Sequence, residues 1–288
     1  MDLDQTRALL AVAATGSISG AATELGVARP TIRRRLAALE QALGTAVAVA
    51  DESGVTLTEA GRLYAEHGAA LVRDHDALHE LITQNSDEPR GLIDVALPIG
   101  AAGPLAPAFL RLALHRWPKL RYRIRSTVDP VAEIYRGADA ALTMSLPQTG
   151  DLVVRSLGRF RTGLYASQAY IDREGTPRTS AALVEHTLLH ALVEGAPPIA
   201  WPLMSGGTLA VEPKVIASDA EFIRTCVHDG DGIGLLPKFA AVGLVPVLPT
   251  VVGTLQPLWS VTTRAGAAMP RLQQLLDASL EFLAPVMR

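Results

Sequence analysis

Apolar residues recur at helical spacing near the start of the chain, and the second of two such patterns is the more informative. Ile32, Leu36, Leu39 and Leu43 follow one another at intervals of four, three and four residues, so they share one face of a helix. Pro30 suits the first turn of that helix, because its missing N–H would have no partner there. A shorter helical pattern precedes it and ends at Gly26. Two short helices joined by a tight turn predict a helix-turn-helix.

Arginines occupy the side of the second helix opposite its apolar face. Arg34 lies roughly opposite Ile32 and Leu36, and further arginines flank it. A helix with an apolar back and a cationic front can enter the major groove of DNA with its N-terminus first. The alternative is a solvated helix face without a partner. The candidate DNA-contacting residues are Arg29, Pro30, Thr31, Arg33, Arg34, Arg35 and, further along, Ser53.

The order of residues in this stretch resembles that of the LysR-type transcriptional regulators. Gly16-Ser17-Ile18, Ala21-Ala22, Pro30, Leu39-Glu40 and the run from Leu57 to Gly61 stand where that family has its characteristic residues. The resemblance implies a winged helix-turn-helix that binds operator DNA, a linker helix, and a two-lobed effector domain like a type 2 periplasmic binding protein. The expected fold class is therefore α/β with an all-α N-terminal part.

A longer helix is predicted from Glu59 to about Thr83, with Thr58 as its N-cap. Apolar pairs repeat at intervals of seven residues along it, which is typical of a seam between two helices. A helix that packs on the core of its own domain is the alternative interpretation. In the resembling family this helix pairs with that of a second subunit, so we expect a homodimer or homotetramer. The candidate seam residues are Leu63, Tyr64, Leu71, Leu78 and Leu81.

Beyond the breaker-rich segment 85–91, strand and helix patterns alternate. The order β-α-β-α-β from Gly91 to Met144 predicts a mostly parallel sheet covered by helices. Leu120, Tyr122 and Ile124 are predicted on the buried side of one strand, with Arg121, Arg123 and Arg125 on its solvent side. The expected division is a DNA-binding domain at 1–58, a linker and hinge at 59–90 and an effector domain at 91–288. Within the effector domain, lobe 1 takes about 91–161 and 265–288, and lobe 2 takes about 162–264.

An effector site is expected in the cleft between the lobes. Ligands of open α/β sheets lie beyond the carboxyl ends of the strands, where helix N-termini present N–H groups. Asp129 and Asp219 also stand where helix caps are predicted, as does Ser180. The candidate effector residues are Ile99, Gly100, Ala101, Ala102, Ser126, Thr127, Thr143, Met144, Ser145, His190, Ser218 and Asp219.

Two departures from the resembling family sharpen these expectations. The loop Ile99–Pro104 carries no charged side chain, which favours an apolar or aromatic effector over a dicarboxylate. In the wing, Ala50 and Ser53 stand where relatives have arginines, and Asp51-Glu52 lies between them, so the wing is expected to contribute little to DNA binding. A regulator whose DNA-binding head has decayed into an effector-binding interaction module is the alternative.

Composition excludes several other classes of protein. The 288 residues are 49% hydrophobic and 19% charged, as in an ordinary globular chain, and the net charge of −3 means that any basic DNA-contacting surface must be local. The lone Cys226 rules out an intrachain disulfide and fits a reducing cytoplasm. No apolar run is long enough for a membrane span, and no phosphate-loop, nucleophile-elbow or metal-ligand motif is present, so neither catalysis nor a cofactor is expected.

Overall fold

The structure is a computed structural model that describes residues 2–51, 54–83, 89–100, 103, 105–147, 151–192 and 199–287. The first three helices and a two-stranded hairpin form an N-terminal unit, which we call the head. Its elements are α1 (Leu3–Thr15), α2 (Ile18–Leu25), α3 (Arg29–Leu43), β1 (Ala48–Asp51) and β2 (Gly54–Leu57). One apolar cluster, which includes Leu9, Val12, Ile32 and Leu36, holds these helices together.

Local contacts explain why the head folds in this way. Ser17 Oγ accepts a hydrogen bond of 2.9 Å from Gly20 N and so caps α2, whereas Ala28 provides no side-chain cap for α3. The β1–β2 hairpin is antiparallel, and Val55 N donates to Gly16 O at 2.8 Å, which fixes the wing against the turn between α1 and α2. The predicted helix-turn-helix and wing are both present.

The long helix α4 (Glu59–Thr83) has the predicted limits. Thr58 Oγ1 accepts a 3.0 Å hydrogen bond from Gly61 N and donates at 2.8 Å to Ala46 O. Gly61 is required for a separate reason, since a Cβ there would lie only 1.9 Å from Val47 O. The close approach of the helix to the head therefore depends on this glycine.

Residues 91–287 form two α/β lobes around one mixed sheet. Lobe 1 begins with β3 (Gly91–Pro98), α5 (Leu105–Arg116), β4 (Leu120–Thr127), α6 (Pro130–Tyr135) and β5 (Ala140–Thr143). Two long strands, β6 (Leu152–Ala166) and β13 (Gly253–Thr263), run through both lobes. Lobe 1 is completed by α9 (Arg264–Ala268) and α10 (Pro270–Leu283), and α10 packs on the cluster around Trp117 and Ile93.

The elements of lobe 2 lie between β6 and β13 in the sequence. They are α7 (Gln168–Glu174), β7 (Leu188–Ala191), β8 (Ala200–Pro202), β9 (Thr208–Ala210), β10 (Val215–Ala217), α8 (Ala220–Asp229), β11 (Ile233–Pro237) and β12 (Val245–Val247). Its core is built around the fully buried Trp201 and Tyr170. Two one-turn 3-10 helices, Ala181–Glu185 and Lys238–Ala240, connect these elements.

The strands between Gly91 and Met144 pair parallel as predicted, within a larger mixed sheet. Its strand order is β10-β7-β11-β6-β13-β5-β3-β4, and β12 also pairs with β6. The pairs β3–β4, β3–β5, β7–β10 and β7–β11 are parallel, whereas β6 and β13 pair antiparallel with each other and with their other neighbours. The sheet is therefore mixed and continuous between the lobes. The register of the β6–β13 pair shifts between Leu258 and Trp259, as at a β-bulge.

Two local predictions were wrong. Ser180 makes no side-chain cap, and Thr179 Oγ1 accepts the hydrogen bond from Ala182 N instead, at 3.3 Å. On β4, Ile124 is 47% exposed, while Arg125 is partly buried and pairs with Asp94 and Glu133. β4 is the edge strand of the sheet. α5 covers the apolar side of its first half only, whereas α6 provides Glu133 for Arg125.

Candidate DNA interface and effector cleft

The exposed face of α3 carries three of the predicted DNA-contacting arginines. Ile32, Leu36 and Leu39 are buried against α1 and α2, so the opposite side of the helix faces outward. Arg29, Arg33 and Arg34 are exposed, and none of them makes an ion pair within the described part of the chain. Their guanidinium groups therefore remain available for an external partner. Pro30 is exposed and Thr31 half-buried in the same first turn.

Arg35 differs from its neighbours. It is only partly exposed and pairs with Asp4 of α1, so its charge is largely neutralised inside the head. Asp4 also lies 3.8 Å from Arg7, which in turn pairs with Asp76 of α4. Arg35 therefore joins α3 to α1 through a partly exposed ion pair. Ser53 lies outside the described residues.

The candidate seam residues of α4 differ in how exposed they are and in what they contact. Leu63, Leu71 and Leu78 are 59%, 49% and 57% exposed and lie along one side of the helix. Leu43, at the end of α3, joins Leu63 and Leu71 around an open apolar groove of about 370 Å³. Tyr64 also lines this groove, but it packs on the core of the head and lies with its hydroxyl 3.2 Å from Thr6 Oγ1. The side chain of Leu81 lies outside the described residues.

Several predicted effector residues meet where the two lobes approach each other. The turn after β3 is joined to β4, since Ile99 N donates to Thr127 O at 3.0 Å. Gly100 lies against the start of α8 in the opposite lobe, where an added Cβ would come within 2.6 Å of Ala220 N and Cβ. Leu192 N donates to Ala217 O at 2.7 Å, which places His190 on the strand beside the start of α8. Ala101 and Ala102 lie outside the described residues.

The polar members of this group differ in what their side chains already contact. Thr127 Oγ1 accepts from Asp129 N, and Asp219 accepts from Glu221 N as the cap of α8. Thr143 is buried, and its hydroxyl bonds to the backbone of Ser145. The hydroxyls of Ser126, Ser145 and Ser218 are exposed and have no hydrogen-bond partner in the described part of the chain. Met144 is half-buried.

His190 is held in one orientation by the core of lobe 2. The indole Nε1 of the fully buried Trp201 donates to His190 Nδ1 at 3.1 Å. Burial lowers the pKa of the imidazole, so the neutral ring is favoured. With Nδ1 acting as acceptor, the proton of the neutral ring lies on Nε2, which can donate to a ligand. His190 was a candidate effector residue from the sequence, whereas its partner Trp201 was not, because no polar pattern surrounds Trp201.

The sequence did not predict a partly buried network of charged side chains within lobe 1. The Asp94 carboxylate accepts from Arg125 Nε at 2.9 Å and from Nη2 at 2.6 Å, and Arg125 Nη1 reaches Glu133 at 2.9 Å. Hydrogen bonding to Asp94 raises the pKa of Arg125. Beside it, burial raises the pKa of Asp139 to about 6, against the opposing effect of a hydrogen bond from Asp94 N. Alternation of Arg with apolar residues on β4 had indicated a solvent-facing row instead.

Neither a metal site nor a membrane-spanning helix is found within the part of the chain that the structure describes. No group of three or more His, Cys, Asp or Glu side chains there could hold a metal ion. None of the described helices is both long and apolar enough to cross a bilayer. Cys226 is partly buried on α8, and burial raises the pKa of its thiol, which makes the thiolate less accessible.

Two family descriptions match the chain and cover most of it. Residues 3–62 match the bacterial regulatory helix-turn-helix proteins of the lysR family, and residues 86–284 match the LysR substrate binding domain. An HTH-type transcriptional regulator of Xanthomonas campestris pv. campestris is 28% identical over 239 residues, which are 81% of this chain and 69% of the relative. The regulator CrgA of Neisseria meningitidis serogroup C is 27% identical over 234 residues, 79% of this chain and 77% of CrgA.

Solved structures resemble the fold over its full length. The crystal structure of ArgP from Mycobacterium tuberculosis covers 100% of this chain and 99% of its own, with a TM-score of 0.71 at 18% identity. At that identity the likeness concerns the fold alone. It agrees with a helical head, a long helix and a two-lobed α/β domain in one chain.

Proposed function

We propose that this chain, which belongs to the LysR family of DNA-binding transcriptional regulators, contacts its operator through the exposed arginines of α3. The observation that carries this proposal is the division of α3 into a buried apolar side and an exposed side with Arg29, Arg33 and Arg34. A guanidinium can bind guanine bidentately in the major groove or can bind a phosphate. Arg35 is left out of the contact set because Asp4 already pairs with it.

We further propose that the wing contributes little to affinity. Residues 48–57 contain no arginine or lysine, and Asp51 and Glu52 add negative charge to this stretch of the sequence. Few phosphates would then be neutralised, so the affinity should fall only gently with salt concentration.

Two subunits would present two such helices. The exposed row of Leu63, Leu71 and Leu78, with the groove beside it, supports a homodimer in which the α4 helices of two copies pair. A twofold pair of recognition helices matches half-sites one helical turn apart. Tetramers can be built from such dimers through the effector domains.

The effector proposed is a small molecule, mainly apolar or aromatic, bound between the lobes. Ile99 and Gly100 bring no charge to the cleft, and the polar groups that we assign to it are the hydroxyls of Ser126, Ser145 and Ser218 together with His190 Nε2. A ligand that binds one degree of lobe closure better than another shifts the population and with it the operator affinity. The relatives are named as transcriptional regulators, which supports a non-enzymatic role, and a cytoplasmic location follows from a DNA target.

The experiment that tests the DNA-binding part is selection of duplexes from a random library at low salt with folded, oligomeric protein. We expect enrichment of a twofold-symmetric site with G-rich half-sites. If no sequence is enriched while the protein remains folded and oligomeric, the chain is an effector-binding interaction module with a decayed head.

A further inference from the structure

The helix α4 contacts the head and lobe 1 through two different kinds of surface. Tyr64 and Ala65 belong to the apolar core of the head. By contrast, no α4 residue in the described part of the chain belongs to an apolar cluster of the effector domain. Contact with lobe 1 is made by small and charged residues, which include Glu66, Ala69, Arg73 and Asp74.

Arg73 is the centre of the contact with lobe 1. Its side chain is only 7% exposed, and its Nη1 donates to Ile134 O at 2.5 Å and to Ala138 O at 2.6 Å. These carbonyls lie at the C-terminal end of α6, where a helix favours a cation. Asp74, Asp94 and Asp139 provide negative charge around the guanidinium.

The guanidinium is incompletely satisfied in this position. Arg73 Nε and Nη2 are buried without a hydrogen-bond partner among the described residues, and the nearest carboxylate oxygen to Nε, on Asp74, is 3.8 Å away. Burial lowers the pKa of Arg73, which reflects the cost of holding its charge away from water. Such a contact is easier to break than an apolar core, because water can satisfy every donor once the surfaces part.

The two backbones meet at residues without large side chains. A Cβ on Gly137 would lie 3.2 Å from Ala69 Cβ, so α4 and the end of α6 touch with no interlocking bulk. Around this point the contacts are polar and long: Arg136 Nε lies 3.8 Å from Glu66, and Thr263 Oγ1 lies 3.5 Å from Asp74. The surfaces can therefore separate without breaking an apolar core.

We propose that the contact of Arg73 with the end of α6, which we call the Arg73 latch, opens and closes in the native protein. Because α4 is joined to the head by an apolar core, opening moves the head and α4 together relative to lobe 1. The latch rests on the fold alone. Its regulatory meaning, that the latched and open states bind the operator differently, rests on the proposed DNA-binding function.

Hydrogen exchange of the full-length protein, followed by mass spectrometry, tests the opening. In Arg73→Met we expect amide exchange to quicken at least tenfold in peptides that cover 66–76 and 130–139, with peptides of α3 and α8 unchanged. Arg62→Met is the matched control, since Arg62 is on the same helix but donates to Leu57 O on the head side. Faster exchange throughout the chain would mean that Arg73 stabilises the whole fold, and it would overturn the proposal.

A disulfide decides the question even if Arg73→Met does not fold. Ala69→Cys with Gly137→Cys, in a Cys226→Ser background, places two Cβ atoms close to the 3.5–4.5 Å of a disulfide. The reduced form controls for the side chain placed at Gly137, where φ is +97°. We expect slower exchange at 66–76 in the oxidised form than in the reduced form. Equal exchange would show a permanently closed contact and would exclude a latch.

Operator affinity of the same two forms tests the regulatory part. We expect at least a fivefold difference in Kd between oxidised and reduced protein on a selected duplex, and equal affinities would exclude regulation through the latch. If the reduced form binds no duplex at all, the proposed DNA-binding function fails, while the exchange data still decide whether the latch opens.

Discussion

Replacing Arg34 with alanine should weaken operator binding by about 1–3 kcal/mol, which is roughly a 5- to 150-fold rise in Kd. Arg34 is exposed on α3, and no described residue pairs with it, so its removal should leave the fold of the head unchanged. The loss should therefore appear in DNA affinity alone. If Arg34 contacts a base, the loss should be larger on the selected operator than on a scrambled duplex.

Arg35→Ala is the matched comparison, one residue further along the same helix. The ion pair between Arg35 and Asp4 is partly exposed, and such pairs contribute about 0–1 kcal/mol to stability. We expect Arg35→Ala to raise the Kd by no more than about threefold, through small changes in the head rather than lost DNA contacts. This contrast separates an outward-facing arginine from an inward-facing one of the same type.

Fluorescence anisotropy with both duplexes, at several salt concentrations, measures these effects. A lost phosphate contact should lower the slope of log Kd against log salt by about 1, whereas a lost base contact should leave that slope nearly unchanged. The assignment is refuted if Arg35→Ala costs as much as Arg34→Ala. It is also refuted if Arg34→Ala weakens both duplexes equally with no change in slope.

Three further predictions concern the seam, the cleft and the buried carboxyl. Leu71→Asp should dissociate the oligomer by placing a charge in the α4 seam, as measured by light scattering; Val184→Asp, at a side chain 84% exposed on lobe 2, should not. Aromatic acids should raise the melting temperature more than simple dicarboxylates do, and the reverse order would exclude an apolar cleft; a ligand at 100 times its Kd adds about 2.7 kcal/mol. Folding raises the pKa of Asp139 from 3.8 to about 6, mainly by burial, so the folded protein favours the protonated carboxyl. The contribution of this carboxyl to stability is therefore present below about pH 4 and is lost as the pH rises through about 6. Relative to Asp139→Asn, the wild-type free energy of unfolding in urea should therefore fall by about 3 kcal/mol from about pH 4 to about pH 7, and a constant difference would show that Asp139 is not buried as described.

Helices with one apolar side could be predicted closely from the sequence. The limits of α4 agree with the predicted Glu59 to about Thr83, and α3 begins at Arg29 with Pro30 in its first turn, as predicted. For α4 the apolar period and the Thr58 cap indicate the same start, whereas for α3 the apolar period and Pro30 indicate it without a capping side chain. The cap at Asp219 was predicted for the same reason.

The long strands could not be predicted in the same way. β6 and β13 span 15 and 11 residues, far more than the apolar stretches within them. Each strand passes from one lobe to the other, so its two ends are buried by different neighbours and no single alternation of apolar and polar residues extends along it. Arg159 and Arg161 interrupt the apolar pattern in the middle of β6.

Buried charges were missed for a related reason. In a helical pattern Arg73 is indistinguishable from a solvated arginine, because its acceptors, Ile134 O and Ala138 O, lie on an element more than sixty residues away. Arg125 has the same difficulty, since Asp94 reaches it from the neighbouring strand. The candidate effector residues could be predicted only in part, less fully than the helices but better than the buried charges. Their positions after strands were predicted, but only the fold shows that Thr143 and Thr127 are already hydrogen-bonded within the chain.

The three sides of α4 explain how a small change in the effector domain can reach the DNA. One side is joined to the head by an apolar core, a second carries the exposed apolar row of the proposed seam, and a third meets lobe 1 through Arg73. A helix of 25 residues is about 37 Å long. Arg73 lies 14 residues, or about 21 Å, from the head end of the helix at Glu59, so a rotation of about 10° at the contact with lobe 1 would move that end by about 4 Å, roughly a tenth of the 34 Å between half-sites. If two recognition helices must match that spacing together, such a movement at the proposed latch would alter operator affinity without any change in the contacts of Arg34 itself.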